Sequence, residues 1–529
     1  MHIKHWWFPV VCASLMLVVL QPFSWPGTNT VRSGSAVTSG RQDGEESVST
    51  DEPAHSDPVL FADWPDPDFV LFVTGRQHGY IEPCGCTGLE NQKGGLMRRH
   101  QLQSELRAKG WELACIDLGN QIKRFGIQPS IKLGVTYQAL CQVMGYQAIG
   151  FGPEDLKLPA MELLQNMLNG QNQTNPFISA NVVLNSPEFT NRYRVVEING
   201  RRVGITHVIG EEYLEEIRKT DVQATSPEAA LRDIWPKLAA EDCHAYVLMA
   251  FTSIENSEQL AREFPHFDVL VNRGGEGEPT LTPREIRVGQ HATQIIQTGS
   301  KGMYVGAVGF FAREDPPIRY QRIPLDDRFQ DSEQVKTLFI DYQKQLEALQ
   351  LSGLSIQQVK HPSGRRFIGS ESCYDCHDEE YDIWRHGVDM DPDETGPHWR
   401  ATLDLVEPTQ RVFVKRHFDP ECLSCHVTGW NPQNYYPYES GYLELDASLM
   451  HGNGCENCHG PAYEHVQAEL GEIDASDQQL ESFRQELHVT LKQARESMCI
   501  ECHDLDNSPD FHEEGAFEEY WEQIKHGGS

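Results

Sequence analysis

Apolar residues fall into three regimes along this chain. Between 66 and 325, short runs dense in Val, Ile, Leu and Phe recur between charged stretches: FVLFVTG (69–75), WELACIDLG (111–119), RVGITHVIG (202–210), AYVLMAF (245–251), FDVLVNRG (267–274) and YVGAVGFFA (304–312). Their length and β-branched content predict buried strands. Between the first two, GGLMRRHQLQSELRAKG has helical spacing through Leu96, His100, Leu102 and Leu106. Strands alternating with helices predict a layered α/β domain over 66–325. A helical connector is expected over 326–365, because DSEQVKTLFIDYQKQLEALQ places Val335, Leu338, Phe339, Tyr342, Leu346 and Leu349 on one face. From 366 to 529 the pattern thins to polar sequence with few apolar runs, and a mainly helical domain is expected there.

The N-terminus differs again. A short basic start precedes an apolar run from Trp6 to Leu20, the build of a signal peptide or N-terminal anchor over 1–30. That run is shorter than the roughly 20 residues of a comfortable span, which favours export to the periplasm or another extracytoplasmic space. Residues 31–65 are rich in Ser, Gly, Asp and Glu and are expected to form a disordered tether.

Charge narrows the partners. With 78 acidic against 44 basic residues the formal charge is −34. Such a surface repels nucleic acid and anionic lipid and suits basic protein partners. A membrane enters only through an uncleaved N-terminal anchor.

The 14 cysteines carry the chemistry. Six are scattered: Cys12, Cys84, Cys86, Cys115, Cys141 and Cys243. The other eight all follow residue 370, and each belongs to a CxxCH run: Cys373/Cys376/His377, Cys422/Cys425/His426, Cys455/Cys458/His459 and Cys499/Cys502/His503. A haem c is held by two thioethers, and the following histidine supplies the proximal nitrogen to iron. All three groups must then share one short helical turn against the ring edge. Zinc knuckles would also use paired CxxC, but they give no reason for a histidine beside every pair. Disulfides give none either. Four covalently attached haems c are expected.

The second axial ligand decides between an electron wire and a reaction centre. Histidines outside the motifs in this region are His386, His398, His417, His451, His465, His488, His512 and His526. His398 opens the helix-like HWRATLDL, His465 follows a turn at Gly460-Pro461, and His526 ends YWEQIKHGG. These three are the expected distal ligands.

ECLSCHVTGW (421–430), GCENCHGPAYEH (454–465), and NSPDF followed by YWEQIKH give the stretch from Phe367 to His526 a resemblance to the multihaem cytochromes of the c-554 type. That resemblance implies closely packed haems, helical peptide, electron transfer and bis-histidine ligation at most irons. It also admits one five-coordinate iron acting on a small nitrogen compound such as hydroxylamine, nitric oxide or nitrite. The chain departs from the family near its first haem, where Trp384-Arg-His386 precedes an acidic insert, leaving His386 and His398 as alternatives.

The first half resembles the metallophosphatase domain of the 5'-nucleotidase family, a four-layer α/β fold. The resemblance rests on VLFVTGRQHGYIEPCGC, GGLMRRHQLQSEL, CIDLGN, AIGFGPEDL, ISANVV and FDVLVNRGG. The family's metal-holding loops are altered here. Gly75-Arg76-Gln77 replaces an Asp-x-His, with His78 one place later. Asp117 is retained, but Asn120 stands where a bridging aspartate is implied. Gly152-Pro153-Glu154 and Asn272-Arg273-Gly274-Gly275 replace the remaining ligand loops. Two divalent metals need several converging anionic or imidazole ligands, so phosphoester hydrolysis is not expected. Cys84 and Cys86 in EPCGCTG are either a redox or metal pair, or structural thiols pairing with Cys115 or Cys141.

Overall fold

The computed structural model describes residues 59–83, 92–123, 126–170, 174–218, 220, 222–275, 277–408, 414–443, 448–504 and 507–526. The N-terminal apolar run and the Cys84/Cys86 pair lie outside them. Part of the segment expected as a tether is folded, however. Phe61 is buried edge-on to Trp64 and Trp111, where the chain runs into the first strand.

Two sheets make the α/β half. One has the order β13-β12-β1-β2-β3, built from β1 (Phe69–Thr74), β2 (Leu113–Asp117), β3 (Ala148–Ile149), β12 (Tyr304–Phe310) and β13 (Ile318–Pro324). The second has the order β10-β11-β9-β8-β6-β5, from β5 (Tyr193–Ile198), β6 (Arg201–Ile209), β8 (Ala245–Phe251), β9 (Val269–Asn272), β10 (Arg284–Val288) and β11 (His291–Gln297). A two-strand pair, β4 (Val182–Val183) with β7 (Gln223–Ala224), lies apart. All six strands expected from the sequence are present. The weaker alternation of the edge strands β5, β10 and β13, and of β11 beside β10, escaped the apolar-run criterion.

The layering follows from the two-residue period of strands. In β8, Val247, Met249 and Phe251 join the main core, whereas Leu248 and Ala250 face a second cluster. In β9, Val269 and Val271 face the first cluster and Leu270 the second. The second sheet is therefore held between the first sheet and the helices α5 (Pro227–Ala239) and α6 (Ile254–Glu263). Behind the first sheet lie α1 (Leu96–Ala108), α2 (Ile127–Gln138) and α3 (Ala160–Gly170). A short α4 (Glu211–Ile217) follows β6.

The connector is the helix α7 (Glu333–Gly353), with Val335, Phe339, Tyr342 and Leu346 buried and Leu338 and Leu349 packed beside them. Its apolar stripe belongs chiefly to the α/β core, against α1 and α2, while Gln343 and Phe339 also reach Asp419 and Arg416 in the following helix-rich part.

After α7 the chain is helix-rich: α8 (Asp378–His386), α9 (Ala401–Val406), α10 (Pro420–His426), α11 (Cys455–His459), α12 (Tyr463–Glu469), α13 (Asp477–Leu487), α14 (Leu491–Gln493) and α15 (Ala516–Glu522). Its apolar clusters are small, one around Leu423, Val427, Trp430 and Tyr442, the other around Ala494, Phe511 and Phe517. No residue of α13 is buried, although Ser476 and Gln479 close a full capping box at its start. No described helix is long and apolar enough to cross a membrane.

Leu346→Ala should cost about 2–5 kcal/mol, the usual range for a fully buried leucine, read as a lower urea midpoint with an unchanged slope. A midpoint matching wild type would contradict the placement of α7 in the core.

Candidate functional sites

Strands β1, β2 and β3 are parallel, as are β6, β8, β9 and β11. The altered loops all leave carboxyl ends of such strands, the usual ligand edge of an α/β sheet. Asp117 sits there, fully buried. Its oxygens accept from Thr74 Oγ1 at 2.6 Å, Gly119 N at 2.8 Å and Gln121 Nε2 at 2.5 Å. Opposite it lies the Arg99 guanidinium from α1, with Nη1 at 3.5 Å and both side chains wholly out of solvent. Arg99 also donates to Gln77. A cation supplied by the chain thus meets the one retained metal-type carboxylate.

Arg76 closes the other side. Nη1 donates to the carbonyls of Arg273 at 2.9 Å and Gly275 at 2.8 Å, tying the β1 loop to the β9 loop. Asp155 accepts from the backbone N–H of Asn120, Gln121 and Gly152 at 2.6–2.9 Å, which locks the β2 and β3 loops together. Burial pushes its carboxyl up to about 7 against those bonds. Gly119 is required at this join, because a Cβ there would lie 2.4 Å from the Phe151 carbonyl carbon. His78 and Asn120 face one another at 3.3 Å. Among the described residues no group of three or more His, Cys, Asp or Glu is placed to hold a metal ion. Arg99 and Asp155 were not singled out in the sequence. An arginine in an amphipathic helix reads as solvated, and only the fold turns it inward.

The four CxxCH runs each occupy one tight turn. The second lies within α10 and the third is α11. In the first and fourth, His377 N and His503 N bond back to the carbonyls of Cys373 and Cys499 at 2.9 and 2.8 Å. Thiols and imidazole therefore share a side, as thioether attachment requires. Seven of the eight thiols are half-buried and Cys376 is exposed, in contrast with the buried Cys115 and Cys141 of the α/β core. The motifs also adjoin one another. The Cys373 thiol lies close enough to Cys455, and Cys425 to Cys502, for the two of each pair to interact. Cys458 lies close enough to Cys499 and Cys502 for their charges to interact.

Histidine geometry separates the candidates. Two imidazoles bound to one metal ion from opposite sides, at about 2 Å per bond, hold their ring centres roughly 6 Å apart. His459 and His526 stand 5.9 Å apart, and His398 and His503 stand 6.4 Å apart. His526 engages the Ile524 carbonyl and His459 the Leu487 carbonyl through Nδ1, which leaves Nε2 of each ring for a metal. Burial drives His398 down to about 4, yet its surface is only half-buried. The ring lies deep without being packed. His398 thus stands nearest, among the motif histidines, to that of the fourth run. His386, its alternative, is exposed at the end of α8 with Nδ1 3.1 Å from the Glu394 carbonyl. His465 lies 3.8 Å from Glu469 and within electrostatic reach of His377. His398 also lies within electrostatic reach of His426. The donor set fits covalent haem: thiols and imidazole on single turns, and facing imidazoles at two motifs.

Polar residues that spacing did not flag hold the turns together. Glu456, inside the third motif, is buried and accepts from the backbone N–H of Gly369 at 2.7 Å and Ala462 at 2.8 Å. Thr402 donates to the His426 carbonyl at 2.6 Å and accepts from Gly452 N at 2.8 Å.

The chain thus combines a cytochrome c-like region with a metallophosphatase-like α/β part. The family described as cytochrome c554 and c-prime matches residues 372–460. Cytochrome c-554 of Nitrosomonas europaea is 26% identical over 98 residues, 18% of this chain and 38% of that protein. The chain therefore spans less than two-fifths of this curated relative. Similar solved structures include a 5'-nucleotidase precursor from Thermus thermophilus, 16% identical, covering 64% of this chain and 66% of that one at a TM-score of 0.44. The NAD nucleotidase of Haemophilus influenzae is 12% identical, with 64% and 68% covered at 0.45. The sulfate thiohydrolase SoxB of Thermus thermophilus is 15% identical, with 54% and 62% covered at 0.43.

Arg99→Met should destabilise the protein by about 3–5 kcal/mol by leaving Asp117 buried without its cation. Adding Asp117→Asn should recover part of that loss in chemical unfolding. No recovery would mean the two charges are not coupled. Nucleotide and generic phosphoester hydrolysis with added manganese or zinc should stay at the buffer rate. Enzymatic turnover abolished by Asp117→Asn would show that the site had been rebuilt from other ligands.

Proposed function

We propose that this is an exported tetrahaem c-type cytochrome whose main activity is electron transfer, carrying a non-hydrolytic α/β domain. The observation that carries the reading is the pairing of motif histidines His459 and His503 with His526 and His398 at the spacing of two axial ligands. A haem c supplies an iron that accepts and releases one electron. The chain's own residues then do three things. Cys373, Cys376, Cys422, Cys425, Cys455, Cys458, Cys499 and Cys502 fix the rings, and His377, His426, His459 and His503 present the proximal nitrogens. His398 and His526 close the far sides of the fourth and third sites. His465, beside His377, is the candidate for the first. The electrostatic proximity of the thiols supports an order of first, third, fourth, second motif. Electrons then enter or leave at the ends of that series. The acidic surface suits basic redox proteins in an extracytoplasmic compartment.

A second reading, an oxidoreductase acting on a small nitrogen compound at one open iron, draws on the family match over residues 372–460. Two experiments test both readings. Intact mass of the purified chain should show four added haems, and zinc in their place would end the proposal. His526→Ala should retain all four haems while converting one low-spin signal in the electron paramagnetic resonance spectrum to high-spin. An unchanged spectrum would remove His526 from the ligand set. One high-spin haem already present in the wild-type protein would favour the oxidoreductase.

A further inference from the structure

The second CxxCH helix is gripped by the α/β half, and the other three are not. Its N-cap Asp419 accepts from Glu421 N at 3.0 Å. The same carboxylate receives Gln343 Nε2 of α7 at 2.9 Å and Gln128 Nε2 of α2 at 3.5 Å. Gln128 also donates to Tyr342 Oη at 2.6 Å. One turn along α2, Lys132 Nζ lies 2.6 Å from Glu421 Oε2, with only 11% and 27% of the two side chains exposed. Just before the cap, Arg416 pairs with Glu82 and lies over the Phe339 ring at 5.2 Å. Among the described residues, no hydrogen bond joins the other three motifs to residues before 330.

We propose that the α/β half is a mount for the second haem, and that Lys132 tunes its reduction potential by offsetting the charge of Glu421. The inference rests on the haem reading above. Glu421 directly precedes Cys422, so its negative charge is fixed within a few bonds of the thioether. A nearby uncompensated negative charge favours ferric over ferrous iron, and in a partly buried seam water screens it poorly. The Lys132 ammonium cancels that field. The mount also gives the phosphatase-like domain a role that needs none of its lost metal ligands.

The full-length holoprotein and its Lys132→Met, Glu421→Gln and double variants test this by intact mass and spectroelectrochemical titration. One potential of the four should fall in Lys132→Met, rise in Glu421→Gln and return close to wild type in the double variant. Potentials that stay put, or that all move together, would overturn the mount while leaving the four-haem function intact. A chain without added haem mass would overturn both. If Lys132→Met carries one haem fewer, recovery of that haem in Lys132→Arg supports the mount, and failure to recover it counts against the mount.

Discussion

A carboxylate removed from water must be met by a cation or by several N–H donors, and four buried carboxylates govern how this chain is assembled. Asp117 is met by Arg99 and by donors from three residues. Asp155 joins two loops through backbone amides. Asp419 joins the two halves of the protein. Glu456 joins the third haem motif to the chain entering the first. Each solves the same desolvation problem with a different donor set. Each also sits where separate segments must be held in register.

The closed edge of the α/β half follows from that problem. A carboxylate buried as Asp117 is keeps its charge only where a cation or a full donor set meets it. The guanidinium of Arg99 supplies a permanent positive charge that no protonation equilibrium removes. Arg76 then spends its donors on the carbonyls of Arg273 and Gly275, within the loop that would otherwise carry ligands. The strands and their order survive because the period-two packing of β8 and β9 between two apolar clusters does not depend on the loops.

This contrast explains what was legible in the sequence. Strands buried on both faces, such as β1 and β8, announce themselves as unbroken apolar runs, and the CxxCH runs announce their chemistry by spacing alone. Helix α7 was legible as a helix, but its partner was not, since one apolar stripe fits either neighbour. Arg99 and Glu456 were illegible for a shared reason. A charged residue in a polar stretch reads as solvated until tertiary structure brings it donors. Which distant motif His398 faces was illegible too, because that contact lies 105 positions along the chain.

The two halves differ in how they hold themselves together, and that difference makes their junction informative. The α/β half has a large continuous apolar core. The cytochrome half has two small clusters and a helix, α13, with no buried residue, so polar ties carry a larger share of its order. A part with so little core of its own gains most from a rigid neighbour at the turn that must be placed most accurately. Haem potentials respond to charge and burial within a few ångströms, whereas sheet layers resist displacement because their cores are close-packed. Joining the second motif to α2 and α7 through a capping carboxylate transfers that rigidity to the haem turn. The α/β half then meets the cytochrome half through its helices α2 and α7 rather than through the loop edge that Arg76 and Arg99 close.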